Sequence, residues 1–491
     1  MKKIFLLTTA VMLSIYSFSQ TATWELLIDT DEDRNVSDII EGEDNNIYFT
    51  GLSREAETWH FNGTVFKLSS EGELRDSIFI MNLDSSVIVN RILPDTNTGY
   101  ILGVETFGLT PSPNKCGFNL KRIDTNLNIT YSSKNYLFPP EYHDIDIKLQ
   151  YGIKNNLLLF GYIFPVNVPR MFVYELNYDF DSLNAKIYHN DGAILPNFIK
   201  QLPNYNFWLV RELHSNYVLL DSSLNMISSK AGSIPQGMNL AHGVKWDSDT
   251  SFYLAADFFH AEKRAYTSHN VGFIHQLHPF DSTNAVFNYT GAIDTNDQPA
   301  FYRALDFNCK DSIFIGYTKN IDIYGVHWSS RPSWYALVQT DSLLNIRWEK
   351  FYGGDAYYNL ENLIATNDGG CIMAGTRFDY QEHPFLQERD IYIIKVNADG
   401  LITSTDGDVS PIVKEAIAYP NPGNDLLKLR IAVQYKQSVF KLFDIAGRLV
   451  LEKNIEGKTS EVNTQFLKSG TYVYSITNNS GLSESGKWVK E

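Results

Sequence analysis

Seven times between residues 36 and 400 the chain repeats one pattern, and this constrains its fold more than any other feature. Each unit pairs two apolar runs across a variable loop and closes on a polar turn and a final strand. The first runs are NIYFTG at 46–51, GYILG at 99–103, NLLLFG at 156–161, NFWLV at 206–210, SFYLAA at 251–256, SIFIG at 312–316 and GCIMAG at 370–375. Their partners are TVFKL at 64–68, FNLKRI at 118–123, MFVYEL at 171–176, NYVLL at 216–220, GFIHQL at 272–277, WYALV at 334–338 and IYIIKV at 391–396. From Gly51 to Gly375 the mean period is about 54 residues, near that of four-stranded propeller blades and longer than leucine-rich or helix-pair repeats. The runs are short, rich in Ile, Val, Tyr and Phe, and bounded by turn residues, which marks strands. They are nearly continuous rather than alternating, as in a sheet covered on both faces. The expectation is all-β: a seven-bladed β-propeller over 20–403.

Ring closure is also legible. Trp24-Glu25-Leu26-Leu27-Ile28 resembles the outer strand Arg347-Trp348-Glu349-Lys350-Phe351 but stands before the first complete unit, while only Leu401-Ile402-Thr403 follow the last. Residues 23–28 are therefore expected to supply the missing outer strand of the seventh blade, joining chain start to chain end and removing exposed edges. The polar turns, such as Asp124-Thr125-Asn126, Asp221-Ser222 and Asp341-Ser342, carry Asp and Ser side chains that bond to nearby backbone N–H groups. Asp76-Ser77-Ile78, Asp181-Ser182-Leu183, Asp311-Ser312-Ile313 and Asp341-Ser342-Leu343 also resemble Bacteroidota O-glycosylation acceptor triplets.

At the N-terminus Lys2 and Lys3 precede the apolar run IFLLTTAVMLSI at 4–15, and Ser17 and Ser19 stand two apart before Gln20. This is the layout of a secretory signal over residues 1–19, cleaved after Ser19. The run is short for a bilayer span and no later window is apolar for ~18 residues, so the mature chain is not expected to span a membrane. The three cysteines, Cys116, Cys309 and Cys371, allow at most one disulfide, so packing must stabilise the fold.

Composition changes at residues 404–415, a small, polar linker sequence. Residues 414–491 hold 11 Lys/Arg against 8 Asp/Glu, whereas the whole chain carries −16. In this tail Tyr419-Pro420-Asn421-Pro422 precedes the alternating strands LKLRIAV and VFKLFD. Ile445-Ala446-Gly447-Arg448 turns into LVLEKNI, Phe466-Leu467-Lys468-Ser469-Gly470 leads into TYVYSIT, and the chain closes on Lys487-Trp488-Val489-Lys490. The pattern reads as a small β-sandwich over 416–491 with a rigid Pro-containing start. Its order and spacing closely resemble the type A C-terminal sorting domain of the type IX secretion system, in a Bacteroidota secreted protein. Pro420, Asn421, Pro422, Asp444, Gly447, Gly470, Tyr472 and Lys487 match that signature. The resemblance implies passage through the Sec pathway, recognition of the folded tail by the outer-membrane export machinery, and delivery to the cell surface or medium.

Chemistry is harder to read. With 41 Lys/Arg against 57 Asp/Glu the chain repels a phosphate backbone, which excludes nucleic acid as a partner. No G-x-S-x-G elbow, H-E-x-x-H or P-loop is present, and no cofactor or metal is expected. His275 and His278 lie three apart in a strand and point to opposite faces. Asp29, Asp31 and Asp33 resemble the start of a calcium loop, but Arg34 and Ile40 stand where such a loop needs Gly and Glu. The reading favoured is a binding or adhesion module offering loops and a central channel to a glycan or protein partner. The alternative is a propeller-fold hydrolase or lyase acting on an extracellular polymer, with catalytic groups gathered from different blades.

Overall fold

The computed structural model describes residues 22–30, 32–55, 60–82, 84–96, 99–108, 116–153, 156–165, 169–188, 196–211, 217–230, 238–259, 270–278, 280, 284–292, 295–322, 328–381, 388–403, 417–419, 423–430, 438–455, 459–478 and 483–490. The signal segment with Ser17 and Ser19, and the linker 404–415, lie outside these. Among the described residues every regular element is a strand.

Among the described residues seven antiparallel sheets precede the linker. Sheet I is Glu32–Glu41, Ile47–Glu55, Asn62–Leu68 and Leu74–Ile80. Sheet II is Ser85–Pro94, Tyr100–Gly108 and Gly117–Ile123, with Ile129–Ser132 and Tyr136–Leu137 both on its outer side. Sheets III to V begin with Tyr142–Tyr151, Pro196–Gln201 and Met238–Ser248 and each add three strands outward in chain order. Sheet VI pairs both Asp297–Pro299 and Leu305–Cys309 with Ser312–Lys319, followed by Trp334–Thr340 and Ile346–Gly353. Sheet VII is Tyr357–Ala365, Cys371–Phe378, Asp390–Val396 and then Trp24–Ile28 from the chain start.

The first strand of each sheet packs beside the next sheet around a closed circuit, from I through VII and back to I. Apolar clusters occupy the spaces between neighbouring sheets. Val36, Phe49 and Phe66 of sheet I meet Ile372 and Ile393 of sheet VII, Val65 of sheet I meets Val87 and Leu102 of sheet II, and Phe160 of sheet III meets Leu209 of sheet IV. Each sheet is thus buried on both faces, and Ser251–Phe258 and Tyr357–Ala365 are buried at every position. That is why the apolar runs do not alternate. The architecture is a β-propeller.

Closure is as expected: Trp24 lies opposite Lys395 and Ile28 opposite Ile391 in an antiparallel ladder. The resemblance to residues 347–351 is carried into space. Trp348 lies against Gly400 in the turn of sheet VII, and Trp24 lies against Gly72 in the turn of sheet I, at φ +68 and +86 respectively. In both turns there is no room for a Cβ beneath the indole.

The outer turns follow one design. Asp124 Oδ1 accepts from the N–H groups of Asn126 and Asn128, Asp221 from Ser223 and Asn225, and Asp341 from Leu343 and Asn345. In the third and seventh turns the heads are Asn177 and Asn397 rather than Asp181 and Ala398. The residue after the tight turn has positive φ, and at Leu127, Leu224 and Leu344 it is a fully buried leucine. Its packing between sheets outweighs roughly 1–2 kcal/mol of left-handed strain.

After the linker a three-stranded sheet (Ile417–Tyr419, Leu426–Arg430, Thr459–Asn463) and a four-stranded sheet (Leu449–Ile455, Ser438–Asp444, Gly470–Asn478, Ser483–Lys490) share one core of Leu427, Leu429, Phe440, Leu442, Tyr474, Ile476 and Trp488.

Candidate functional site

The innermost strands carry a recurring irregularity. In sheet I Val36 pairs with Gly51 and Asp38 with Thr50, leaving Ser37 without a partner across the ladder. The same bulge falls at Asn90 in sheet II, Asn197 in sheet IV, His242 in sheet V and Glu361 in sheet VII. All five are polar. A bulged residue leaves its own ladder, so its backbone groups must bond elsewhere.

Sheet VI departs furthest. Its innermost strand breaks between Pro299 and Leu305, and residues 300–304 form an excursion opposite Gly316, whose carbonyl and N–H bond to Ala300 N and Ala304 O. The excursion is pinned on both sides by the bulges. Ala304 N donates to His242 O at 3.2 Å, and Tyr302 N and Arg303 N donate to Glu361 O at 2.8 and 3.3 Å. Arg303 Nη2 then reaches sheet I, donating to Asp38 Oδ1 at 2.7 Å. Arg91 of sheet II lies over the Tyr302 ring, its guanidinium carbon 5.3 Å from the centroid. Tyr302 and Arg303 thereby plug the channel.

Beyond the plug, toward the exits of the innermost strands, lies a half-enclosed cavity of about 280 Å³. Its walls draw on all seven sheets, including Asp38, Arg91, Lys148, Asn197, Lys245, Asp306 and Asn362. Both wall carboxylates are already paired. Asp38 takes Arg303 and the N–H groups of Ile39 and Ile92, and Asp306 takes Lys245 at 2.5 Å and Ala365 N at 2.9 Å.

Behind the plug the acids are sequestered. Glu105 Oε1 accepts from Asn90 Nδ2 at 2.5 Å and Ile147 N at 2.6 Å, while Asn90 also reaches Asp146 at 3.0 Å. Burial, reinforced by the Asp146 charge, pushes the Glu105 carboxyl well up. Burial likewise raises Glu361 to about 7, with the Arg389 charge opposing. The Tyr302 phenol is pushed up by burial and by Glu361 and Asp146. None of Arg91, Tyr302, Arg303 or Glu361 stood out in the sequence. The one available signal was the long stretch between Asp297 and Leu305 in the sixth unit, where other units have a single continuous strand.

His275 stacks on Tyr253 with centroids 4.0 Å apart, and His278 packs edge-on to Phe280. The carboxylate of Asp33 is ion-paired with Arg54 and Arg389 at 2.8 and 2.6 Å. Asp31 lies outside the described residues. Cys116 and Cys371 are buried and Cys309 exposed, all as free thiols. Of the triplets, Asp181-Ser182-Leu183 is wholly exposed.

In the tail, Asp444 Oδ1 accepts from Ala446 N and Arg448 N, both at 3.0 Å, around Gly447 at φ +76. Tyr472 donates to Lys468 O at 2.7 Å, and Lys487 pairs with Val473. Pro420, Asn421 and Pro422 lie outside the described residues. The family model described as the secretion system C-terminal sorting domain matches residues 417–491. Residues 417–491 are a type IX C-terminal sorting domain. The sorting domain directs the protein to the cell surface or extracellular space.

No curated protein matches the chain. Among solved structures, a catalytically inactive virginiamycin B lyase from Staphylococcus aureus with quinupristin is 11% identical at a TM-score of 0.42, covering 76% of this chain and 99% of that one. PorZ, a surface component of the type IX secretion system of Porphyromonas gingivalis, is 12% identical at 0.29, covering 93% and 75%. The extracellular domain of a hybrid two-component system from B. thetaiotaomicron is 11% identical at 0.31, covering 93% and 67%. These scores assign no ligand or activity to this chain.

Proposed function

We propose that the exported propeller, over residues 20–403 and with seven blades, is a binding module for an extracellular glycan or protein. The observation that carries this reading is the state of the channel acids. Asp38 and Asp306, the carboxylates on the cavity wall, are each locked to a cation and to backbone N–H groups. A general base must be free to take a proton, and these two are not. The cavity offers recognition groups instead. The signature residues Pro420, Asn421, Pro422, Asp444, Gly447, Gly470, Tyr472 and Lys487 would form the surface read by the export machinery.

The second reading, a hydrolase or lyase, has one observation in its favour. Glu361 is held near neutrality and the buried Glu105 carboxyl lies beyond the same plug, an arrangement found where acid–base groups are tuned. Incubating the mature chain with a panel of extracellular polysaccharides and proteins, while following both retention and product release, separates the readings. Retention without products supports binding. Products whose release is lost in Glu361→Gln would establish the enzyme.

A further inference from the structure

Arg91 is 8% exposed and lines the channel cavity. Among the described residues its hydrogen bonds all use Nη1, which donates to Ser37 O at 3.1 Å, Asn90 O at 2.7 Å and Asn90 Oδ1 at 3.3 Å. Among the described residues no carboxylate forms an ion pair with it, whereas Arg303 has Asp38 and Lys245 has Asp306. Arg91 is thus the cavity-wall arginine that meets no carboxylate among the described residues, and Lys148 lines the same wall. This arginine lines the channel cavity of a chain whose net charge is −16. A buried guanidinium retains its charge and is costly without a counter-ion.

The neutral polar groups add a second constraint. Gln150 and Asn197 turn their amide N–H groups to the backbone, donating to Ile199 O and Ala241 O. Asn362 donates to Val36 O, and its buried Oδ1 has no hydrogen-bond partner. Three amide oxygens on the wall are thus left to accept. Phe198 and Leu305 supply apolar surface. The volume, about 280 Å³, lies at the lower edge of the ~300–1,000 Å³ usual for ligand pockets. A ligand matched to this wall is compact, carries a carboxylate and donates several hydroxyl hydrogens.

We infer that the channel cavity binds one sugar-acid residue, its carboxylate on Arg91 beside Lys148 and its hydroxyls on the oxygens of Gln150, Asn197 and Asn362. This rests on the binding reading above and narrows it to acidic glycans. The Arg91 guanidinium suits a carboxylate through paired N–H donors, and the volume of about 280 Å³ suits a single ring.

The test is calorimetry on the full mature chain with galacturonate, glucuronate, glucose and inorganic phosphate. The expected result is measurable binding of a uronate, at least tenfold weaker binding of glucose and phosphate, and a tenfold or greater loss in Arg91→Met. Lys148→Gln, at a half-buried position, should lose severalfold affinity, which keeps the test open if Arg91→Met does not fold. Phosphate binding as well as the uronates would overturn the sugar-acid assignment, and absence of uronate binding would overturn the proposal. If the mature chain retains a polysaccharide and Arg91→Met retains it equally, this inference fails while the binding reading stands. If a uronate binds but no polymer is retained, the reverse holds.

Discussion

Trp24 donates its indole N–H to the carbonyl of Ser70, 3.0 Å away and 46 residues later. The bond ties the last strand of sheet VII to the turn of sheet I, across the seam where the chain closes on itself. Trp24 is nearly buried, with Gly72 directly beneath it.

Replacing Trp24 with Ala should cost about 3–5 kcal/mol, the range for a buried large-to-small aromatic change. Gly72→Ala should also destabilise, because its Cβ would fall 2.4 Å from the indole at φ +86. Urea denaturation reads both. Unchanged midpoints would mean that the seam contributes nothing to stability.

A second seam contact is ionic. Asp33 holds Arg389 through Nε and Nη2 at 2.6 and 3.0 Å, 356 residues apart, and Arg54 at 2.8 Å. All three are buried. Asp33→Asn removes the carboxylate that both buried cations share and should cost about 3–5 kcal/mol. A loss under 1 kcal/mol would show that water reaches the cluster.

Glu361 makes stability depend on pH. Its folded pKa of about 7 exceeds the ordinary 4.5, so between these values the folded chain binds more protons than the unfolded one. Unfolding free energy therefore falls as pH rises through that window, by up to about 3 kcal/mol from this group. Asp390, raised to about 8 by burial and by Asp29, acts in the same sense from pH 4 upward. Glu361→Gln should gain on the parent protein as pH rises from 4.5 to 8. Parallel melting curves for the two proteins over that range would count against a raised carboxyl.

Deletion of residues 417–491 should leave the protein on the periplasmic side of the outer membrane in its native host, with the propeller folded. Fractionation and intact mass report the outcome. Surface or medium product from the truncated chain would show that export does not need this domain.

Much of the fold was legible because it is written locally and repeatedly. Each blade buries both faces, so its strands appear as continuous apolar runs, and Asp or Asn heads mark turns such as those at 124, 221 and 341. Trp24 was legible by its likeness to Trp348. The channel was not, because its residues come one or two per blade and share no motif. Arg91 and Arg303 look like ordinary surface charges in a linear reading, and Ser37, Asn90, Asn197, His242 and Glu361 share only their bulge.

The sequence by itself determined the repeat, the ring, its closing strand and the sorting domain. Periodicity and turn chemistry act between near neighbours, and a family signature survives in order and spacing. Only the tertiary structure decided what fills the channel. Whether an arginine meets a carboxylate, as Arg303 meets Asp38, or faces a cavity without one among the described residues, as Arg91 does, depends on which strands the ring brings together. Bulges and the 300–304 excursion set those distances, and no linear pattern records them.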